Sequence, residues 1–494
     1  MSNIFAPVPV PWVPKKYQKT AVKFLLEHAA AALFLDPGLG KTSISLAAIK
    51  VLLKMKLTHK ILLIAPLRVI QLVWPAELQK WEDFGKLRMV TLHGPHKNEL
   101  LKEDADIYLI NPEGLEWLLQ VEKTKSAKKG RVSVKVDMKR WKKLGFDHLV
   151  IDELTRFKHG TTARFKALRE VVPTFARRWG LTGSPAANGL MDLFGQCYIL
   201  DEGRSLGPYI THYRQKYFLP SYDGFSWDLR EGADIEIYER IKPLALRIGA
   251  EGNIDMPKLH PNPIYVDLPD DARRVYDELE DDLISQLDDR VVTAATAAVA
   301  SMKCRQVANG GVFLAPELDG LIKKKLRKRE WVDLHHEKAN AVADLVEELQ
   351  GSPLLVAYDF EHDLDRLRQV LGKDVPYLGG GVTGKRAKEL EGLWNAGKLP
   401  VLLGHPQTVS LGLNLQQAGH HVCWHSLTWN YEDYDQFIRR VWRQGNDAKR
   451  VFVHHIIARD TIDEQIIGAL HSKKRGQDAL FVALQELRRV RRKL

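Results

Sequence analysis

The stretch from Leu33 to Leu46 constrains this chain most. It runs Leu-Phe-Leu-Asp-Pro-Gly-Leu-Gly-Lys-Thr-Ser-Ile-Ser-Leu. The apolar run Ala29 to Leu35 predicts a buried strand, and Lys41-Thr42 opens an amphipathic helical pattern. Between them lies a tight loop: Asp36, Pro37, Gly38, Leu39 and Gly40. A strand, a glycine-containing loop and a helix start form a cradle for phosphate, because loop N–H groups and the helix dipole both favour an anion. Lys41 adds a point charge for β- and γ-phosphates, and the Thr42 hydroxyl suits a magnesium ion. The full phosphate-loop pattern has a further glycine where Leu35 stands, so an ordinary strand-loop-helix junction remains open at this point.

With 494 residues the chain suits two or three domains. Its formal net charge of +11 favours an acidic partner, nucleic acid first. Its three cysteines, Cys197, Cys304 and Cys423, lack paired spacing. That argues against a zinc module or disulfide scaffold and fits a reducing, cytoplasmic setting, the host cytoplasm if a phage encodes the chain. No apolar run approaches a membrane span, and Met1 to Pro14 lacks a signal-peptide pattern.

Tyr17-Gln18 begins a helical pattern to Ala30. The Gln18 amide offers the donor and acceptor that an adenine edge needs, although a glutamine there is also an ordinary surface residue. Strand patterns at 60–65, 87–93 and 105–111 alternate with helical ones at 42–55 and 69–81. This alternation predicts a doubly wound parallel sheet, with ligands gathered at the carboxyl ends of its strands. Lys123 to Lys143 interrupts the rhythm with a lysine-rich insertion, either a solvated segment or a basic arm for phosphates. His148 to Asp152 is another apolar strand, ending in Asp152-Glu153. Beside a phosphate loop, the first acid suits the magnesium shell and the second suits orienting the attacking water. Leu181-Thr182-Gly183-Ser184-Pro185 is a strand end breaking into a turn, with its hydroxyl residues expected exposed at the tip.

These residues resemble the superfamily-two helicases, and within them the Swi/Snf-related ATPases. Asp152-Glu153-Leu154-Thr155-Arg156-Phe157-Lys158 is similar to that family's acid box, with Thr155 where histidine is usual. Leu181 to Asn188 resembles its Leu-Thr-Gly-Thr-Pro-x-x-Asn motif, and Ile64-Ala65-Pro66-Leu67-Arg68 its segment after the second strand. Further on, Ser410-Leu411-Gly412-Leu413-Asn414-Leu415, Trp429-Asn430 and Gln436 to Asn446 resemble its later motifs, with Ser410 and Asn446 departing from them. The helical pattern around Gln436 would place Arg440 and Arg443 on one helix face. The alternative is a basic helix paired with Glu432 and Asp435.

The resemblance implies an α/β fold of two RecA-like lobes, each a doubly wound parallel sheet, with helical insertions between them. Lobe one would span 1–200, a helical protrusion and linker 201–334, lobe two 335–470 and a basic tail 471–494. It implies ATP and Mg²⁺ as ligands, held by Gln18, the loop Asp36 to Gly40, Lys41, Thr42, Asp152 and Gly412. Glu153 would position water. Arg440 and Arg443 would reach the γ-phosphate, a contact worth roughly a thousandfold in rate. Arg68, Ser184, Thr408 and Trp429 are candidate nucleic-acid contacts. Thr182, Gly183, Asn188, Asn414 and Gln436 are candidate coupling residues. The implied activity is a DNA-stimulated ATPase moving along duplex DNA without sequence preference, similar to compact phage and bacterial members. A strand-separating DNA or RNA helicase is the alternative. A DNA-binding scaffold that ATP merely clamps is the alternative of another class.

Overall fold

The computed structural model describes residues 8–125, 132–220, 227–250, 253, 256–288, 294–313, 330–409 and 412–474. Outside them lie 126–131 of the lysine-rich insertion, 314–329 of the expected linker, Ser410-Leu411, and 475–494 of the expected tail. The chain divides into two compact units, one running through Asp255 and a second spanning Met256–Lys473.

In the first unit the strands are β1 (Ala30–Leu35), β2 (Ile61–Ile64), β3 (Met89–Thr91), β4 (Ile107–Ile110), β5 (Glu122–Lys125), β6 (Val132–Lys135), β7 (His148–Asp152), β8 (Arg177–Thr182), β9 (Phe218–Pro220), β10 (Trp227–Leu229) and β11 (Ala245–Ile248). Seven of them form a sheet in the order β11-β1-β8-β7-β2-β4-β3. Every pairing in it is parallel. Parallel sheets are covered by helices on both faces, so their strands are apolar throughout. Accordingly Ile61–Ile64 and Ile107–Ile110 are buried along their whole length.

The second unit has β12 (Lys258–Val266), β13 (Gly311–Phe313), β14 (Trp331–Asp333), β15 (Leu354–Ala357), β16 (Tyr377–Leu378), β17 (Val401–Gly404), β18 (His421–Trp424) and β19 (Arg450–Ala458). Its main sheet, also all parallel, has the order β12-β19-β18-β15-β17-β16. The fold is therefore α/β with two RecA-like doubly wound lobes, as expected.

The segment 201–334 departs from the expected helical linker. Its helix Ala233–Ile241 gives way to β11 rather than to more helix. Pro243 stops the helix, since it has no N–H to bond back to the Glu239 carbonyl and continue the ladder. β11 then joins the first sheet as its edge strand. β12 carries Pro261 and Pro263 and pairs with β19 from Lys258↔Arg450 to Val266↔Ala458. Prolines are tolerated there because β12 is also an edge strand. The helix Ala294–Asn309 is bonded within the second unit. Arg305 Nε donates to the Leu427 carbonyl at 3.1 Å, and Asn309 Nδ2 to the fully buried Asp363 at 3.1 Å.

The lysine-rich insertion contains an antiparallel hairpin of β5 and β6, followed by the helix Met138–Leu144. Trp141 anchors that helix in the core, stacked on Phe146 with its indole N–H on Thr174 Oγ1 at 2.9 Å. Lys135, Lys139, Lys142 and Lys143 remain exposed.

Candidate nucleotide site

β1 ends at Leu35 and the chain turns through Asp36 to Gly40 into the helix Lys41–Lys54. Gly38 and Gly40 have φ of 88° and 77°, where a side chain is strained. A Cβ on Gly40 would stand 2.8 Å from Gln18 Nε2 and 3.0 Å from Ser43 Oγ. The loop is thus a cradle that a larger residue would fill. Gln18 braces it: its Oε1 accepts from Lys15 N at 2.9 Å, and its Nε2 reaches the Leu39 carbonyl at 3.4 Å. Lys41 Nζ donates to the Leu35 carbonyl at 2.9 Å.

Neighbouring strands bring in the other motifs. β7 ends at Asp152, whose carboxylate accepts the Trp74 indole N–H at 2.9 Å. Trp74 is fully buried and follows a π-helical turn, Val69–Val73, the kind of local widening that recurs at functional sites. Burial pushes the Asp152 carboxyl above the ordinary carboxylate value, while Lys41's charge and Trp74's bond draw it back. A cation beside it would favour the charged form outright. Glu153 has φ 62° and ψ 61°, left-handed backbone that costs a non-glycine residue about 1 kcal/mol or more. Thr155, at the histidine position, is buried.

β8 lies between β1 and β7, so Thr182 to Ser184 emerge beside the loop. A Cβ on Gly183 would sit 3.1 Å from Pro37 Cδ and 3.4 Å from the Leu35 carbonyl. Thr182 and Ser184 are buried, contrary to the expectation of exposed hydroxyls, because this turn tucks against the loop after β1 at Pro37. Ser184 N donates to Thr182 Oγ1 at 3.2 Å. Asn188 is half-buried. The acid box and the following helix are also tied. Lys158 Nζ pairs with Asp192 at 3.2 Å, and Gln196 Nε2 donates to the carbonyls of Pro185 and Asp192 at 2.7 and 2.8 Å. Arg68, half-buried, stands just before the π-helical turn.

In the second unit, Gly412 to Leu415 and the segment after Gln436 pack together. The helix ends at Ile438, so Arg440 and Arg443 do not share a helix face as expected. Arg440 N and Val441 N bond back to Phe437 and Ile438, tightening the last turn, and Leu415 N takes the Arg440 carbonyl at 3.1 Å. The turn instead aims both arginines at one loop. Arg440 Nη1 donates to the Leu413 carbonyl at 3.3 Å, and Arg443 Nη1 to Asn414 Oδ1 at 2.5 Å. Asp435 pairs with Arg439 at 2.6 Å, and Gln436 Nε2 reaches Glu432 at 3.5 Å. Trp429 donates its indole N–H to Ser301 Oγ at 3.2 Å, and its carbonyl accepts Lys473 Nζ at 2.7 Å. Thr408 is half-buried, its N–H on the His405 carbonyl at 2.9 Å.

Two residues were not assigned roles from the sequence. The first is Trp74, and the second is Arg247, which pairs with Asp36. An arginine inside the apolar run Ala245–Ile248 was the available signal for the second. Among the described residues no group of histidine, cysteine and acidic side chains is arranged to hold a metal by itself, and no helix is long and apolar enough to cross a membrane.

Comparison with known proteins agrees with this layout. Residues 17–312 match the SNF2-related domain and residues 337–445 the helicase conserved C-terminal domain. The chain is 30% identical over 495 residues to the p41 protein of Acyrthosiphon pisum secondary endosymbiont phage 1, covering 96% of this chain and 99% of that one. It is 24% identical to the uncharacterized ATP-dependent helicase MG018 of Mycoplasma genitalium, covering 93% of this chain but only 41% of that relative's length. A solved Sulfolobus solfataricus SWI2/SNF2 ATPase core in complex with dsDNA is 21% identical, with 98% of each chain covered and a TM-score of 0.43. With the family model spanning more than half of its length, the chain belongs to the SNF2-related family and carries that family's helicase C-terminal domain.

Proposed function

We propose that this protein is a DNA-dependent ATPase motor that couples ATP hydrolysis to movement along duplex DNA, contacting phosphates rather than bases. One observation carries the nucleotide part of this reading. The adjacent strands β1, β8 and β7 deliver the Lys41 loop, the Gly183 turn and the Asp152-Glu153 pair to the carboxyl end of one sheet.

The residues fit ATP and magnesium. Gly38 and Gly40 keep the loop open for phosphate, and Lys41 supplies a cation to it. Thr42 and Asp152 are oxygen donors of the kind magnesium takes. Magnesium, when bound, would neutralise charge on the transferring phosphoryl group. Trp74 holds Asp152 in one orientation. Glu153, on strained backbone, would orient and accept a proton from water. Gln18 would read adenine. Arg440 and Arg443, held by the Leu413-Asn414 loop, would supply cations for the γ-phosphate. Thr182, Gly183, Asn188, Asn414 and Gln436 would link nucleotide state to Arg68, Ser184, Thr408 and Trp429 on DNA. Exposed lysines of the insertion would add phosphate contacts, which are sequence-independent and weaken as salt rises.

The test is ATP hydrolysis at one fixed salt without nucleic acid, with single-stranded DNA, with closed circular duplex and with RNA. Strong stimulation by the closed duplex, which has neither ends nor forks, is expected. Stimulation only by single strands or RNA would favour a strand-separating helicase, and no turnover on any of them would favour the ATP-clamped scaffold.

A further inference from the structure

Asp36 poses an electrostatic problem. It is the first residue of the phosphate loop, and it is buried. A carboxylate held there repels the polyanion that the loop is built to accept.

Arg247 answers that charge. Its Nη2 pairs with Asp36 Oδ1 at 2.7 Å, with side chains only 5% and 11% exposed. The other carboxylate oxygen accepts Ala250 N at 2.8 Å. Arg247 Nη1 donates to the Phe34 carbonyl at 2.9 Å and the Ile248 carbonyl at 2.7 Å. The register explains the meeting: β11 runs beside β1 with Arg247 opposite Phe34 and Ile248 opposite Leu35. The guanidinium therefore joins the end of β1, the end of β11 and the loop's own acid.

We propose that Arg247 is a positioning residue for the nucleotide, which neutralises Asp36 so that the loop accepts a triphosphate. This rests on the reading of that loop as the ATP site. A plain strand clamp would use the same bonds, so the distinction lies in charge. If Arg247 acts by neutralisation, the harm of losing it comes from the carboxylate left behind. Removing that carboxylate as well then repairs binding, although the bonds stay broken. A clamp predicts the opposite, since the double variant would be at least as impaired.

The experiment measures ATP turnover and thermal melting for the wild type, Arg247→Met, Arg247→Lys, Asp36→Asn and Asp36→Asn/Arg247→Met. Arg247→Met should raise KM for ATP by about tenfold or more with kcat within about threefold. Arg247→Lys keeps the charge without the planar fork and should recover much of the loss. The double variant should return KM to within about threefold of wild type. An unchanged KM in Arg247→Met, or a double variant no better than it, overturns the proposal. If Arg247→Met does not fold, Arg247→Lys decides: it keeps the charge and gives up the fork to the Phe34 and Ile248 carbonyls, so KM within about threefold of wild type is expected and a tenfold rise overturns neutralisation. Failure of the ATP-site reading looks different: turnover in the wild type would then be absent or indifferent to Lys41→Ala.

Discussion

The Trp74 indole N–H meets the Asp152 carboxylate at 2.9 Å inside the first lobe. The acid at the end of β7 is thus held by a side chain from the helix after β2. Removing that donor leaves a buried carboxylate short of a bond, which costs about 1–3 kcal/mol. Trp74→Phe keeps the ring and loses the donor. ATP turnover should fall by about tenfold in a protein that remains folded by circular dichroism. Unchanged turnover would remove Trp74 from the site.

Glu153→Gln should leave ATP bound while turnover collapses by about a hundredfold or more, because the amide cannot accept the water's proton. Fluorescent-nucleotide binding and single-turnover hydrolysis separate the two effects. Near-normal turnover would mean that another group handles the water.

Gly183 touches the loop through Pro37. Adding a side chain there forces the turn against Pro37 Cδ and the Leu35 carbonyl. Gly183→Val should weaken ATP binding by about tenfold through displacement of the loop, with only modest loss of stability. Equal nucleotide affinity in titration calorimetry would show that the turn yields freely.

Arg440→Ala should abolish most hydrolysis, by about a thousandfold, with ATP affinity little changed. Its Nη1 and the Leu415 amide both tie this turn to the Gly412–Leu415 loop, so melting must be checked alongside. Hydrolysis at the wild-type rate would show that the second lobe does not serve the nucleotide.

The second lobe also has a pH signature. Burial pushes His421 and His454 down to about 4 from the ordinary value near 6.5. Asn262 Nδ2 donates to His454 Nδ1 at 2.8 Å, and His454 Nε2 meets His421 Nδ1 at 3.0 Å. Folded neutral rings and unfolded protonatable ones mean that the unfolded chain binds more protons between pH 4 and 6.5. Stability is then fully present above about 6.5 and declines as pH falls toward 4, on the order of 1 kcal/mol per buried histidine by pH 5. Denaturant midpoints across this range measure it. His421→Asn/His454→Gln should flatten the slope, and an unaltered slope would place the titration elsewhere.

Much of this architecture was legible in the residues themselves. Apolar runs such as Ile61–Ile64 and Leu354–Ala357 could only be buried parallel strands once they alternated with helical patterns. The tight loop from Asp36 to Gly40 before the helix at Lys41, and the strand ending in Asp152-Glu153, were legible too, because each depends on neighbours close in sequence. β12 was hidden because Pro261 and Pro263 break the strand pattern, and only its place at the edge of the sheet accommodates them. The end of the helix at Ile438 was hidden because Leu415, far away in sequence, takes the Arg440 carbonyl.

Local chemistry thus determined the strands, the loop and the acids. Only the tertiary structure could decide that Arg247 faces Asp36, that Trp74 holds Asp152 and that Gly183 leans on Pro37. Those pairs join residues from different strands and helices, and their partners depend on strand order, which no local pattern encodes.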